Sequence, residues 1–336
     1  MARLTVCVCV CVRVCRACVG DETLYNYFLQ WQAWKCLRPY DKTGVCIIMT
    51  SEQGCGKGMW VHRFLGQRLF GSTYAQITNL DHITGRFNSI LLGKCIINLD
   101  ESTVTDRQGA SEITALLKNL ITEDSLVIEQ KCKDQFYAPS FFDMIITTNS
   151  TCPVRVEPGD RRFFVLNVSS QYKNNHDYFQ NLLDIINAAD TPVLYYRHLL
   201  QIADSNFNPR AMPVTTAKQE MQSKARSKVA AFLQHICMQP SMLDLTVGSS
   251  DIVVSKKAIH QAYLSYMRTY QTGYPKVLTD QGCFAKELRQ ELGAAFVARS
   301  TTSRQGETVD VYKLRGLQHV EERLRSQGLW DLDQYI

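Results

Sequence analysis

Ser51-Glu52-Gln53-Gly54-Cys55-Gly56-Lys57-Gly58 follows the apolar run Gly44-Val45-Cys46-Ile47-Ile48-Met49 and precedes a stretch of helical periodicity. Strand, glycine-rich loop and helix in that order predict a phosphate-binding P-loop. Backbone N–H groups wrap the phosphates, a lysine reaches the outer ones, and a helix N-terminus faces the negative charge. Ser51, Gln53, Gly54, Cys55, Gly56, Lys57, Gly58 and Met59 are the candidate nucleotide-binding positions. The strict pattern G-x-x-x-x-G-K-[ST] is broken at both ends, since Ser51 replaces the first glycine and Gly58 the usual hydroxyl. The motif alone is ambiguous, and the residues downstream of it decide.

Forty-three residues after Lys57, the apolar run Cys95-Ile-Ile-Asn-Leu ends in Asp100-Glu101. Phosphoryl transfer to water needs a carboxylate to organise Mg²⁺ and a group to orient the attacking water. Adjacent acids at a strand's carboxyl end can do both, with Asp100 toward the metal and Glu101 toward the water. A strand ending in solvated acids is the bland alternative, and it loses weight because a P-loop precedes the acids. Met144-Ile-Ile-Thr-Thr148 then ends in Asn149, whose amide can hold a γ-phosphate or a water. Otherwise Asn149 only caps a turn before Pro153. Gly159-Asp160-Arg161-Arg162 precedes the strand-like Phe163-Phe-Val-Leu166. Either arginine can stabilise charge developing on a transferred phosphoryl group, Arg161 being the preferred one and Arg162 the better candidate for a structural ion pair.

From residue 44 to about 170, short β-branched runs alternate with helical stretches, the pattern of an α/β fold. Strands are expected at 45–49, 95–99, 144–148 and 163–168, and helices at 57–69, 83–92 and 110–120. Asp21 is an N-cap candidate for a helix carrying Leu24, Phe28, Trp31 and Trp34 at core spacing, and Pro39 ends it. Residues 126–137 read as a β-hairpin with Lys131 and Lys133 at its tip. Two helices, 255–270 and 279–292, precede two strands joined around residues 304–306, the order of a small winged-helix-like domain. The expected organisation is therefore a tract at 1–19, an N-terminal helix at 20–43, an ATPase core at 44–175, a helical lid at 176–245 and a winged-helix-like domain at 246–336.

Taken in order, GCGKG, INLDE, the segment ITEDSLVIEQKCKDQFYAPSF, IITTNS and GDRRFFVL resemble a superfamily 3 helicase, and most closely the helicase domain of phage, plasmid and giant-virus primase–helicases. The likeness spans roughly residues 21–210. It implies an AAA+-like (ASCE) P-loop ATPase core that binds ATP and Mg²⁺, forms a homohexameric ring and moves along single-stranded DNA, with a primase or polymerase as a possible partner. On that resemblance Lys57 binds phosphates, Asp100 and Glu101 are the metal and water acids, Asn149 is the sensor, and Arg161 or Arg162 is the finger offered to a neighbouring subunit. Lys131 and Lys133 would grip DNA from a channel hairpin. Mobile lysines at a hairpin tip suit a sequence-independent, salt-sensitive hold, while an exposed charged loop is the plain alternative.

A net charge of +5 permits a nucleic-acid partner without requiring one. No apolar run reaches the ~18 residues of a membrane span. Of thirteen cysteines, five crowd into Cys7–Cys18, and the remainder lie singly, which fits free thiols in a reducing interior rather than a disulfide framework. The alternating Val-Cys tract is what a translated GTGTGT repeat encodes, so residues 1–19 are expected to be a gene-model artefact. A signal peptide lacks its cleavage site here, and a metal site on Cys15 and Cys18 lacks a second ligand pair. Upstream of Asp21 there is no room for a primase, so a fragment or a stand-alone motor is expected. Two other classes remain open. One is a non-motor DNA-binding remnant with weak ATPase. The other, a small-molecule P-loop kinase, fits poorly with the arginine pair, the hairpin and the C-terminal region.

Overall fold

Asp21 caps the first helix, α1 (Glu22–Leu37), its carboxylate accepting the N–H groups of Thr23 and Leu24 at 2.7 and 3.2 Å. The helix stops just before Pro39, because the residue preceding a proline is driven toward extended backbone. The computed structural model describes residues 21–100, 110–157, 159–224, 228–243, 251–270, 280–304, 307–326 and 330. The chain divides into two units, Met1–Ala225 and Arg226–Ile336.

The first unit continues with β1 (Cys46–Thr50), α2 (Met59–Phe70), β2 (Tyr74–Ile77), the single turn α3 (Asp81–Thr84), β3 (Ile96–Asp100) and α4 (Ala110–Thr122). Next come β4 (Ser125–Ile128), β5 (Phe136–Pro139), β6 (Asp143–Thr148), β7 (Phe163–Asn167), α5 (His176–Asn187), α6 (Thr191–Ile202) and α7 (Thr216–Lys224). Helix α2 is wound as a π-helix, and the Gly71 N–H closes it on the carbonyl of Gly66. Five strands form one sheet in the order β2-β3-β6-β1-β7, every neighbouring pair parallel. The unit is thus a mixed α/β fold around a parallel central sheet.

Side chains alternate across that sheet. Ile47 and Met49 of β1 join a cluster with Phe28 and Trp31 of α1, Trp60 and Phe64 of α2 and Tyr195 of α6. Cys46 and Ile48 join the opposite cluster, with Leu117 and Leu120 of α4 and Met221 of α7. A parallel sheet covered on both faces explains why its strands read as unbroken apolar runs. On α1, Phe28 and Trp31 are core residues and Leu24 packs against them, whereas Trp34 lies half-buried under the Arg38 guanidinium.

One expectation for this unit needs correction, and one strand was not foreseen. The helix expected at 83–92 is only the turn α3 and a 3₁₀ turn, Ser89–Leu91, because Gly85-Arg86-Phe87-Asn88 interrupts helical backbone between them. A Cβ on Gly85 would lie 2.3 Å from the Asp81 carbonyl oxygen, so the glycine is required where the turn closes. Strand β2, at the sheet's edge, is only four residues long and its half-buried pattern gave no signal.

The second unit runs α8 (Lys228–Met238), β8 (Ile252–Ser255), α9 (Lys256–Tyr270), α10 (Gln281–Leu292), β9 (Phe296–Arg304), β10 (Glu307–Leu314) and α11 (Leu317–Ser326). Its antiparallel sheet has the order β8-β10-β9, one strand more than the sequence reading contained. Phe232, Tyr263, Phe284, Leu288 and Tyr312 centre its core, with the Tyr263 and Phe284 rings stacked at 4.6 Å. Helix α8, read as part of the lid, belongs to this core, because its apolar face packs here. Among the described residues, no helix is long and apolar enough to cross a membrane, and the described cysteines are free thiols.

Candidate functional site

Strand β1 ends at Thr50, and the chain turns into the loop 51–58 at the carboxyl edge of the sheet. Gly54 and Gly56 adopt φ of +84° and +91°, backbone that only glycine takes without strain. At Gly56 a side chain is excluded twice, since a Cβ there would lie 2.9 Å from the Phe179 ring. Nothing lies within 4 Å of the corresponding position on Gly58, where the P-loop pattern usually has a hydroxyl.

Lys57 is only 9% exposed. Its Nζ donates to the carbonyls of Ser51 and Glu52 at 3.2 and 3.1 Å, to the Ser51 hydroxyl, and to Asn149 Oδ1 at 2.9 Å. The amide of Asn149 therefore meets the lysine although 92 residues separate them. Strand pairing is the cause. Strand β6 runs beside β1, with Thr50 opposite Thr148, so both chains leave the sheet at one level.

Asp100 ends β3 on the other side of β6, opposite Thr147. Its carboxylate accepts the Thr147 hydroxyl at 2.6 Å and the Gln76 amide at 2.5 Å. Thr147 is itself fixed by Asn98, whose side-chain N–H donates to its hydroxyl oxygen at 3.1 Å. Gln53 to Gly58, Asp100, Thr147, Thr148 and Asn149 line one cavity of about 230 Å³. Of the other loop positions, Ser51 acts through Lys57, and Met59 opens α2 and packs against the core. Glu101 lies outside the described residues.

Asp100 fits a divalent cation of the Mg²⁺ type. Such an ion takes one or two carboxylates plus waters and substrate phosphates rather than a protein cage. Asp100 is the carboxylate that lines this cavity among the described residues. Hydroxyl and amide donors fix the orientation of the carboxylate, which lines the cavity.

Arg161 and Arg162 do not join this cavity. They precede β7, whose first residue Phe163 is level with Cys46, the first residue of β1. The arginines thus sit at the amino edge of the sheet, roughly 13 Å of strand from the loop. Arg161 is exposed. Arg162 is half-buried, its N–H donating to Asp160 Oδ1 at 2.7 Å and its Nη1 lying 3.9 Å from Oδ2.

Lys131 and Lys133 are exposed on the loop 129–135 that joins β4 to β5. Residues 86–88 brace that hairpin. Asn88 donates to the Val127 carbonyl and accepts the Glu129 N–H, both at 2.9 Å, and Arg86 pairs with Glu129. Tyr137 (81% exposed), Phe87 and Phe136 present aromatic surface on the same elements. Sequence reasoning missed Gln76, Thr147, the Arg86–Asn88 brace and these rings. Only the alternation Phe136-Tyr137 beside a lysine-bearing tip carried any signal for them.

A family model described as a family of unknown function, DUF5906, matches residues 49–162, the stretch from β1 to the arginine pair. Over 153 residues the chain is 29% identical to a DNA primase–polymerase of Nitratiruptor phage NrS-1. The chain is homologous to a phage primase–polymerase. That match takes in 46% of this chain and 21% of the phage protein, so it spans about a fifth of the relative's length. The apo structure of the NrS-1 C-terminal region superposes with a TM-score of 0.62 at 18% identity, covering 91% of this chain and 75% of that one. A second form of the same region gives 0.60 at 17% identity over the same shares. At such identities the structural likeness concerns the fold.

Proposed function

We propose that this chain is the motor part of a viral or mobile-element replication protein. It is an AAA+-like ATPase of the superfamily 3 helicase type that hydrolyses ATP and translocates on single-stranded DNA. One observation carries the reading: Lys57, Asn149 and Asp100, far apart in sequence, line a glycine-loop cavity at the carboxyl edge of a parallel sheet. Open α/β sheets bind ligands at that edge. The homology to a phage primase–polymerase supports a replication role for the whole.

In this reading the loop N–H groups and Lys57 bind the β- and γ-phosphates. Asp100, aligned by Thr147 and Gln76, would hold Mg²⁺, which would supply charge neutralisation on the phosphate oxygens. Water attacks the γ-phosphorus, the bond to the β–γ bridging oxygen breaks, and the water's proton passes to the Glu101 carboxylate. Asn149 orients the γ-phosphate or the water. Arg161, exposed at the opposite edge, reaches the site of a neighbouring copy, so the working assembly is a closed ring, taken as a homohexamer. Arg162 stays with Asp160. The hairpin lysines and Tyr137 meet the DNA, charge on phosphate and ring on base.

The second unit's order of helix, strand, two helices and two strands supports a winged-helix-like module. The proposed limits are an ATPase core at 44–175, a helical region after it and this module at the C-terminal end.

Steady-state ATPase of the full chain with and without single-stranded DNA tests the reading. Stimulation by DNA that vanishes in Lys57→Ala is expected, together with a nucleotide-dependent ring in light scattering. Turnover indifferent to DNA at low salt sinks the motor. DNA binding without turnover would leave the remnant reading, which the hold of Ser51 on Lys57 favours. Replacing Lys131 and Lys133 together should lower DNA affinity and reduce the salt slope by about 1.4, at ~0.7 per charge on a single strand.

A further inference from the structure

The turn after β7 and the start of α5 flank the phosphate loop on the side away from Asp100. Lys173 Cγ lies 4.0 Å from where a Gly54 Cβ would stand, and its ammonium pairs with Glu52 on the loop. Phe179 presses against Gly56. From there a train of rings runs outward: Phe179 meets Tyr178 edge-on at 5.2 Å, and Tyr178 stacks on Tyr172 at 4.0 Å with an interplanar angle of 5°. The turn is tightly made. The Lys173 N–H bonds to the Ser170 carbonyl, Asn174 takes φ +65°, and the side chain of Asn175 caps α5 on the Tyr178 N–H. Tyr178 and Phe179 pack on the core, whereas Tyr172 stands outside that cluster.

The sheet order gives this ring train a direction. Strands β6 and β3, bearing Asn149 and Asp100, lie on one side of β1, and β7 lies on the other. A triphosphate with its outer phosphate among Lys57, Asn149 and Asp100 would have room to extend its nucleoside end over the glycines toward β7. We propose that the turn 170–179 is the nucleoside subsite, with Tyr172, backed by Tyr178, stacking on the base and the Glu52–Lys173 pair fastening the turn to the phosphate loop. This inference rests on the nucleotide reading above and assigns to it a specificity determinant. Tyr172 is a ligand-contacting residue, and Lys173 is a positioning residue.

The test compares binding of Mg²⁺–ATP and of Mg²⁺–tripolyphosphate to the full chain by calorimetry, in wild type and in Tyr172→Ala, Tyr172→Leu and Tyr172→Phe. Wild type should prefer ATP. Tyr172→Ala should weaken ATP about tenfold, within the range of one base–aromatic stack, and leave tripolyphosphate unchanged. Tyr172→Leu, which restores apolar contact with Tyr178 without a planar face, should behave like Tyr172→Ala, and Tyr172→Phe like wild type. Equal loss for both ligands, no loss for ATP, or a leucine as good as a phenylalanine overturns the subsite. Wild-type affinity equal for the two ligands also overturns it while leaving the phosphate site intact. Wild type binding neither ligand overturns the nucleotide reading itself.

Discussion

Two aspartates on neighbouring strands show how one side-chain type serves opposite ends of the same sheet. Asp143 opens β6 level with Ile96, and Asp100 closes β3 level with Thr147. Asp143 is 1% exposed at the side chain, lies 3.3 Å from Lys35 Nζ, and accepts the Thr43 N–H and hydroxyl at 3.0 and 2.7 Å. Burial pushes its carboxyl upward, and the Lys35 and Thr43 contacts oppose that. Lys35 is itself fully buried and donates to the carbonyls of Asp41 and Phe141. That cluster neutralises its charge internally and ties α1 and the 41–43 segment to the sheet. Asp100 instead lines a cavity and is held by a hydroxyl and an amide. A charge cancelled in the interior contributes to fold specificity. One on a cavity wall stands where a ligand can meet it.

The largest effects should separate the two ends by what they leave untouched. Lys57→Ala and Asp100→Asn should each lower ATP turnover by about 10²–10³-fold while the thermal midpoint stays near wild type. A large loss of stability in either would erase the contrast. Asp143→Ala should do the reverse, costing about 3–5 kcal/mol in denaturant unfolding because it strands a buried lysine. Replacing the pair together, Lys35→Met with Asp143→Leu, should recover most of that, and failure to do so would show that Thr43 and the carbonyls depend on the ions. Thr147→Val removes one hydrogen bond to the Asp100 carboxylate. At about 1.5–3 kcal/mol for a bond to a charged group it should cost roughly tenfold or more in turnover, with a higher Mg²⁺ requirement. The smallest effect concerns Ser51→Gly, which frees Lys57 from the Ser51 hydroxyl and should tighten nucleotide binding a few-fold, as one net hydrogen bond allows. Weaker binding there would mean that the serine positions the lysine productively.

Four strands of the sheet were legible because β1, β3, β6 and β7 are apolar runs bounded by glycine, acids, arginines or Asn-Ser, and burial on both faces writes itself into composition. Edge elements were not. Tyr74–Ile77 is half-buried and carries no run, and Ile83, Ile90 and Leu91 mimic a helical spacing across a stretch that Gly85 breaks. The lysine, acid and amide were readable as types at strand ends. Their supports, Thr147 and Gln76, look like ordinary strand residues, since a hydrogen bond to Asp100 leaves no mark on sequence periodicity.

By itself, the sequence determined the strand–loop–helix order around Lys57, the positions of the glycines that permit positive φ, and which acids, amide and arginines stand at strand ends. Those features arise from local backbone sterics and apolar periodicity, which act within a few residues. Only the tertiary structure decided that β6 lies between β1 and β3, so that Asn149 reaches Lys57 while the arginines fall at the far edge. It also decided that the turn 170–179 folds against the glycine loop. Strand order and register are set by which buried faces pack together across a hundred residues of chain, and no local pattern encodes that.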